Sequence, residues 1–149
     1  MISLKFSDFL SFLKFHANIF YLILFIINIF FLGYYGFRIV FAPKGMLSEY
    51  ELEDTAILPL RIIGTFVVPF VIVGIYLLFR ADGVEGAWIY FILGFLISLG
   101  QLLYDTLQRM KIVDSDYKIK QSTLDTIISI AFVLINAILI YGLADKIYL

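Results

Sequence analysis

Four long apolar runs dominate the chain, separated from one another by short polar stretches. They extend from about Ala17 to Phe41, from about Ala56 to Phe79, from Gly86 to about Leu107, and from Leu124 to Ala144. A helix rising about 1.5 Å per residue needs roughly 20 apolar residues to cross a hydrocarbon core about 30 Å thick. All four runs meet that length, and they are twice as long as the ~10-residue strands of a membrane barrel. Backbone amides find no water in lipid, so runs of this kind satisfy themselves as helices. The short connections predict antiparallel packing of sequence neighbours. The expected fold is all-α, a single membrane domain over residues 1–149 built as an antiparallel four-transmembrane-helix bundle.

Residues 2–15 follow a different rhythm. At about 100° per residue, Ile2, Phe6, Phe9, Leu10 and Leu13 share one face, with Ser3, Ser7, Ser11 and Lys14 opposite. That pattern predicts an amphipathic interfacial helix lying on the membrane ahead of the first span. Ser122 with Asp125, and Ser48 with Glu51, match capping boxes before the fourth span and within the first connection. Pro43 ends the first span, Pro59 opens the second, and Pro69 removes a hydrogen bond at its middle, which predicts a kink there.

Composition agrees with the pattern and removes several classes of function. Hydrophobic residues make up 62% of the 149 positions and charged residues only 15%, against about 25% charged in soluble domains. Eleven basic and twelve acidic residues lack the excess of positive charge that nucleic-acid binding requires. With no cysteine there are no disulfides, thiolate metal sites or cysteine nucleophiles. His16 is the only histidine, so a bis-histidine haem site within one chain is excluded. No calcium loop, glycine-rich phosphate loop or serine–histidine–aspartate set is present, and no cofactor or metal is expected.

The scarce charges carry more information than the plentiful apolar residues. Arg38 closes span one, Arg61 opens span two, Asp105 closes span three and Asp125 opens span four. Alternating helices bring these four ends to one face of the membrane, and Gln101 lies one helical turn before Asp105. The spacing predicts an Arg61–Asp105 ion pair supported by Gln101, fixing span two against span three. Intramembrane ionisable groups read as a ligand or proton site; their position near helix ends favours a structural clamp or snorkelling side chains instead. Asn18, Asn28, Thr65, Ser98, Ser129 and Asn136 are available for interhelical hydrogen bonds, and Gly94 with Ser98, Gly64 and Gly74 permit close helix approach. The phenylalanines of span one, Phe20, Phe25, Phe30, Phe31 and Phe37, predict a broad apolar outer face. Seven basic residues fall on the side of the 42–55 and 108–123 loops and four on the other, which predicts that those loops are cytoplasmic.

Gly36-Phe37, Phe41-Ala42-Pro43, Leu60-Arg61-Ile62-Ile63-Gly64 and Ser98-Leu99-Gly100-Gln101 follow the order and spacing of a family of small four-helix bacterial membrane proteins of unknown function, which the chain resembles over about half its length. In that family an arginine opens helix two and a glycine–arginine pair marks helix three. Arg61 fits, whereas Gln101 stands in place of the second arginine. The resemblance implies the four-helix fold and a bacterial inner membrane, and brings no activity. With no catalytic chemistry visible, the residues favour a non-catalytic accessory or structural subunit packed against a larger membrane complex or a homo-oligomer. The alternative is a small oligomeric transporter or channel, or a lipid- or quinone-binding protein using the polar cluster of Arg38, Arg61, Gln101, Asp105 and Asp125. Asn28 stands where multidrug-type four-helix transporters are expected to carry a carboxylate.

Overall fold

The computed structural model describes residues 19–116 and 123–149, and every regular element among them is helical. The expected amphipathic helix over residues 2–15, His16 and Ser122 lie outside the described residues. Four helices are long and apolar enough to cross a membrane: α1 (Ile19–Phe41), α3 (Ile57–Phe79), α4 (Trp88–Arg109) and α5 (Thr123–Gly142). Two short helices sit at the ends, α2 (Pro43–Glu49) after α1 and α6 (Ala144–Ile147) after α5. A 3-10 turn at Asp54–Ala56 leads into α3. This is an integral membrane protein with an all-α, four-span architecture.

Local chemistry moves several boundaries from their predicted places. Pro43 does end α1, but it also begins α2, where its fixed φ suits the first helical turn. Ser48 therefore lies inside α2, and Glu51 has a φ of 58°, so the Ser48–Glu51 capping box does not form. The third span starts at Trp88 because Gly86, with a φ of 69°, belongs to the preceding turn. The fourth span stops at Gly142, and Leu143 caps the short α6. α3 runs unbroken through Pro69.

Contacts along the helices establish their directions. On α1 and α3, Gly33 meets Val71, Gly36 meets Val67, and Gly64 meets Val40, so one number falls as the other rises. The same holds for α1 and α5, where Tyr21 lies against Gly142, Asn28 bonds Asn136 and Phe31 stacks edge-on to Phe132. Gly94 meets Asn136 and Asp105 meets Thr126, making α4 and α5 antiparallel as well. The spatial order is α3–α1–α5–α4. α3 and α4, consecutive in the chain, come near each other chiefly where the Tyr90 ring stacks on Phe70 at 4.3 Å. Antiparallel neighbours are thus extensive for spans one and two and for three and four, and slight for two and three.

Tyr90 reaches that position because Gly74 leaves room for it; a Cβ at Gly74 would fall 2.3 Å from the Tyr90 hydroxyl. The apolar core gathers at this C-terminal end of the bundle. Phe25, Phe91, Leu139, Leu143 and Ile147 are almost wholly buried there, together with Val84 from the α3–α4 connection. Phe25 does not join the outer face predicted for the α1 phenylalanines. It packs between the Tyr90 and Phe91 rings, at 6.0 and 5.4 Å, while Phe20, Phe30, Phe31 and Phe37 remain exposed. The Gly86 amide donates to the Lys146 carbonyl at 3.3 Å and closes the same end.

One polar contact lies deep within the spans. The Asn28 Nδ2 donates to the Asn136 Oδ1 at 3.1 Å, and the Asn136 Nδ2 donates to the Phe132 carbonyl at 2.9 Å. Both side chains are buried, roughly 14 and 9 Å inside the ends of their helices. Gly94 admits this pair, since a Cβ there would stand 3.1 Å from the Asn136 Oδ1. Ser98 and Thr65 instead bond carbonyls of their own helices, Phe95 and Ile62.

Two substitutions test this packing. Asn28→Leu strands the Asn136 Oδ1 in an apolar interface, with an expected loss of about 1–2 kcal/mol in detergent unfolding. Gly64→Ala sets a Cβ 2.7 Å from the Val40 Cγ2, on a stiff β-branched side chain. We expect it to cost about 1–3 kcal/mol by forcing α1 and α3 apart, measured as a lower midpoint in the same assay.

Candidate functional site

The end of the bundle opposite the apolar core carries the charges. Here Arg38 in the last turn of α1 forms an ion pair with Glu49 at the end of α2, and its guanidinium stands 5.9 Å from the Tyr34 ring centroid. The next residue, Tyr50, donates its hydroxyl to the Asp125 Oδ2 at 2.8 Å. Thr126, adjacent to Asp125, donates to the Asp105 carboxylate on α4, which also accepts from the Arg109 Nε at 3.4 Å. These contacts form one continuous polar chain running from α1 through α2 to α5 and α4.

Helix position explains why these residues tolerate the chain. Asp125 lies in the first turn of α5, and Arg38 and Arg109 lie in the last turns of α1 and α4. Each therefore opposes the partial charge of its own helix terminus, an effect worth about 0.3–1 kcal/mol. The Tyr50 hydroxyl is raised well above the usual tyrosine range, first by burial and then by its hydrogen bond to the Asp125 carboxylate. It stays protonated and serves as a donor. Tyr50 thus ties the α1–α3 connection down onto α5.

Three of the five predicted residues, Arg38, Asp105 and Asp125, join this chain. The other two do not. Arg61 is exposed and forms no ion pair among the described residues. The expected Arg61–Asp105 pair is absent because α3 and α4 stay apart at this end, and Thr126 and Arg109 occupy Asp105 instead. Gln101 is exposed and does not support Asp105. Glu49, Tyr50, Thr126 and Arg109 were not foreseen. Of these, only Arg109, four residues after Asp105, carries a sequence signal, as an i,i+4 pair. Gln108, one position before Arg109, has a buried Nε2 with no hydrogen-bond partner among the described residues.

Among the described residues, no three histidine, cysteine or acidic side chains are grouped so as to hold a metal. What this arrangement does physically is strap the loop end of the bundle together through partly exposed hydrogen bonds. No protein-family model, curated protein or solved structure matches the chain.

Tyr50→Phe removes one hydroxyl and leaves the ring. We expect a loss of about 1 kcal/mol at neutral pH, since the contact is charge-assisted but partly exposed. The pH dependence has a definite sign. An unfolded tyrosine ionises near pH 10, and the folded Tyr50 ionises higher, so its contribution is complete below pH 10 and disappears as pH rises toward the folded value. Unfolding followed from pH 8 to 11 should show a steeper alkaline loss for the wild type than for Tyr50→Phe.

Proposed function

We propose that this is a non-catalytic integral membrane protein that serves as an accessory or structural subunit, packing against a larger membrane complex. Gln101 is the observation that supports this reading. It lies about 12 Å inside the loop end of α4, is exposed, and makes no side-chain hydrogen bond among the described residues. An amide facing hydrocarbon without a partner costs on the order of 2 kcal/mol or more, and a polar side chain from another helix removes that cost. Gly100, beside it, has open space where a Cβ would stand, so a second backbone can approach closely. Between 11 and 28% of the positions in the four spans are buried within the chain itself. Most of the apolar helix surface is thus left for lipid or for a partner.

In this reading the polar chain at the loop end is a clamp that holds the subunit in shape, and its carboxylates carry no proton traffic. The excess of basic residues on the 42–55 and 108–123 loops supports a cytoplasmic side for that end, in keeping with a bacterial inner membrane.

Gentle solubilisation from native membranes, followed by size analysis and mass spectrometry, tests the proposal. Wild-type protein should run with a stoichiometric co-purifying chain. Gln101→Leu should lose that chain with its own unfolding midpoint unchanged. A wild-type protein that runs alone refutes the subunit reading. Proton-coupled uptake in liposomes, abolished by Asp105→Asn, would replace it with transport.

A further inference from the structure

On the side of the bundle away from α4, α1 and α3 enclose a shallow apolar groove. Phe30 and Phe37 form its walls, Gly33 leaves its floor low, and Val71 and Ile75 line it from α3. It extends along α1 from Ile26 to Phe37, about 16 Å at 1.5 Å per residue. It lies across the middle of α1 and along α3 from Val71 onward, about 15 Å or more below Arg61, a depth that the distal part of an acyl chain reaches from its phosphate. Its lining residue nearest the loop end, Phe37, is four residues short of the end of α1.

The charges beyond the groove on that side have a particular order. Arg61, Val68 and Ile75 recur every seven residues, so Arg61 shares the groove-side stripe of α3. It sits in the opening turns of α3, where a cation adds to the positive end of the helix dipole, and it has no ion pair among the described residues to offset that cost. Beyond it, further from the bilayer centre, stand the exposed carboxylates of Glu53 and Asp54. From the hydrocarbon outward, the sequence of chemistry is an apolar trough, then a cation, then anions.

We propose that this groove binds one phospholipid whose zwitterionic head carries a primary ammonium. Its acyl chain lies along Phe30, Gly33 and Ile75, its phosphate contacts Arg61, and its ammonium donates to the Glu53 and Asp54 carboxylates. A phosphate compensates both the guanidinium and the positive helix terminus. An anionic head without an ammonium would meet the carboxylates unfavourably, which is why the order of charges selects the zwitterion. The site is separate from the α4 surface offered to a partner, so it stands or falls independently of the subunit reading.

The experiment uses the full chain in nanodiscs of equal phosphatidylethanolamine and phosphatidylglycerol with identical acyl chains, released and weighed by native mass spectrometry. One phosphatidylethanolamine should be retained per chain, at least fivefold over phosphatidylglycerol. Arg61→Gln should reduce that retention about tenfold, and because Arg61 is exposed and unpaired its unfolding midpoint should not move. Ile75→Trp, which fills the trough, should reduce it likewise. Equal retention of both lipids, preference for phosphatidylglycerol, or retention unaffected by Arg61→Gln overturns the proposal. So does disulfide-linked dimer formation by Ile75→Cys, the sole cysteine of that variant, which would assign the groove to a second copy.

Discussion

The Asn28–Asn136 hydrogen bond is the constraint around which the rest of the bundle is arranged. It joins α1 to α5, and these are the inner helices of the order α3–α1–α5–α4. The outer helices each depend on one inner neighbour: α3 on α1 and α4 on α5. Apolar contacts alone hold helices together weakly in lipid, because lipid tails are as apolar as leucine. A pair of amides in that setting has no water to turn to. Sliding α1 along α5 by one turn would leave the Asn28 amide and the Asn136 Oδ1 without each other, so the pair sets the register of the two halves.

That register then distributes the remaining work to the two ends. At the C-terminal end the helices converge, and Val84, Leu143 and Ile147 close the core with apolar volume. At the loop end they do not converge, because α3 and α4 are apart there. A smaller apolar set, Ile39 of α1 with Met46 and Leu47 of α2, is buried there, and directional contacts, Arg38 to Glu49, Tyr50 to Asp125 and Thr126 to Asp105, add to it. Each is partly exposed and individually modest. Their value lies in linkage, since neighbouring residues of α2 and of α5 carry successive contacts and the strap spans three of the four membrane helices.

The spans were legible because bilayer thickness imposes a length that composition alone can meet. Where the flanking residues are described, the helix ends lie within about two residues of the expected ones, and the differences at Gly86 and Gly142 come from turns whose geometry depends on the following segment. Asn28 and Asn136 were visible as candidates for interhelical bonding, although nothing in their spacing paired them. The polar end was legible as a location and not as a network. Arg61 and Asp105 occupy similar depths on consecutive helices, but depth does not determine which helices are neighbours. Tyr50 and Thr126 decide the actual pairing, and a tyrosine in an acidic loop or a threonine in a first turn is too ordinary to draw notice.

The polar residues near the helix ends separate into those the internal network uses and those it leaves out. Arg109 and Arg38 sit at helix C-termini, where a cation is favourable, and both have carboxylate partners. Arg61 sits at a helix N-terminus, where a cation is unfavourable, and has no partner among the described residues. Gln101 is the corresponding case without charge, a membrane-embedded amide outside every hydrogen bond described. In a bundle whose Asn28 and Asn136 amides are paired and whose Arg38, Arg109 and Asp125 oppose their helix dipoles, Arg61 and Gln101 are left without such compensation. They lie on different helices, Arg61 beside the α1–α3 groove and Gln101 on α4, so one occupant is not required to satisfy both. Each needs compensation from outside the chain, and the surroundings differ accordingly: an apolar trough beneath a charge suits a lipid, and a glycine beside an amide suits another helix.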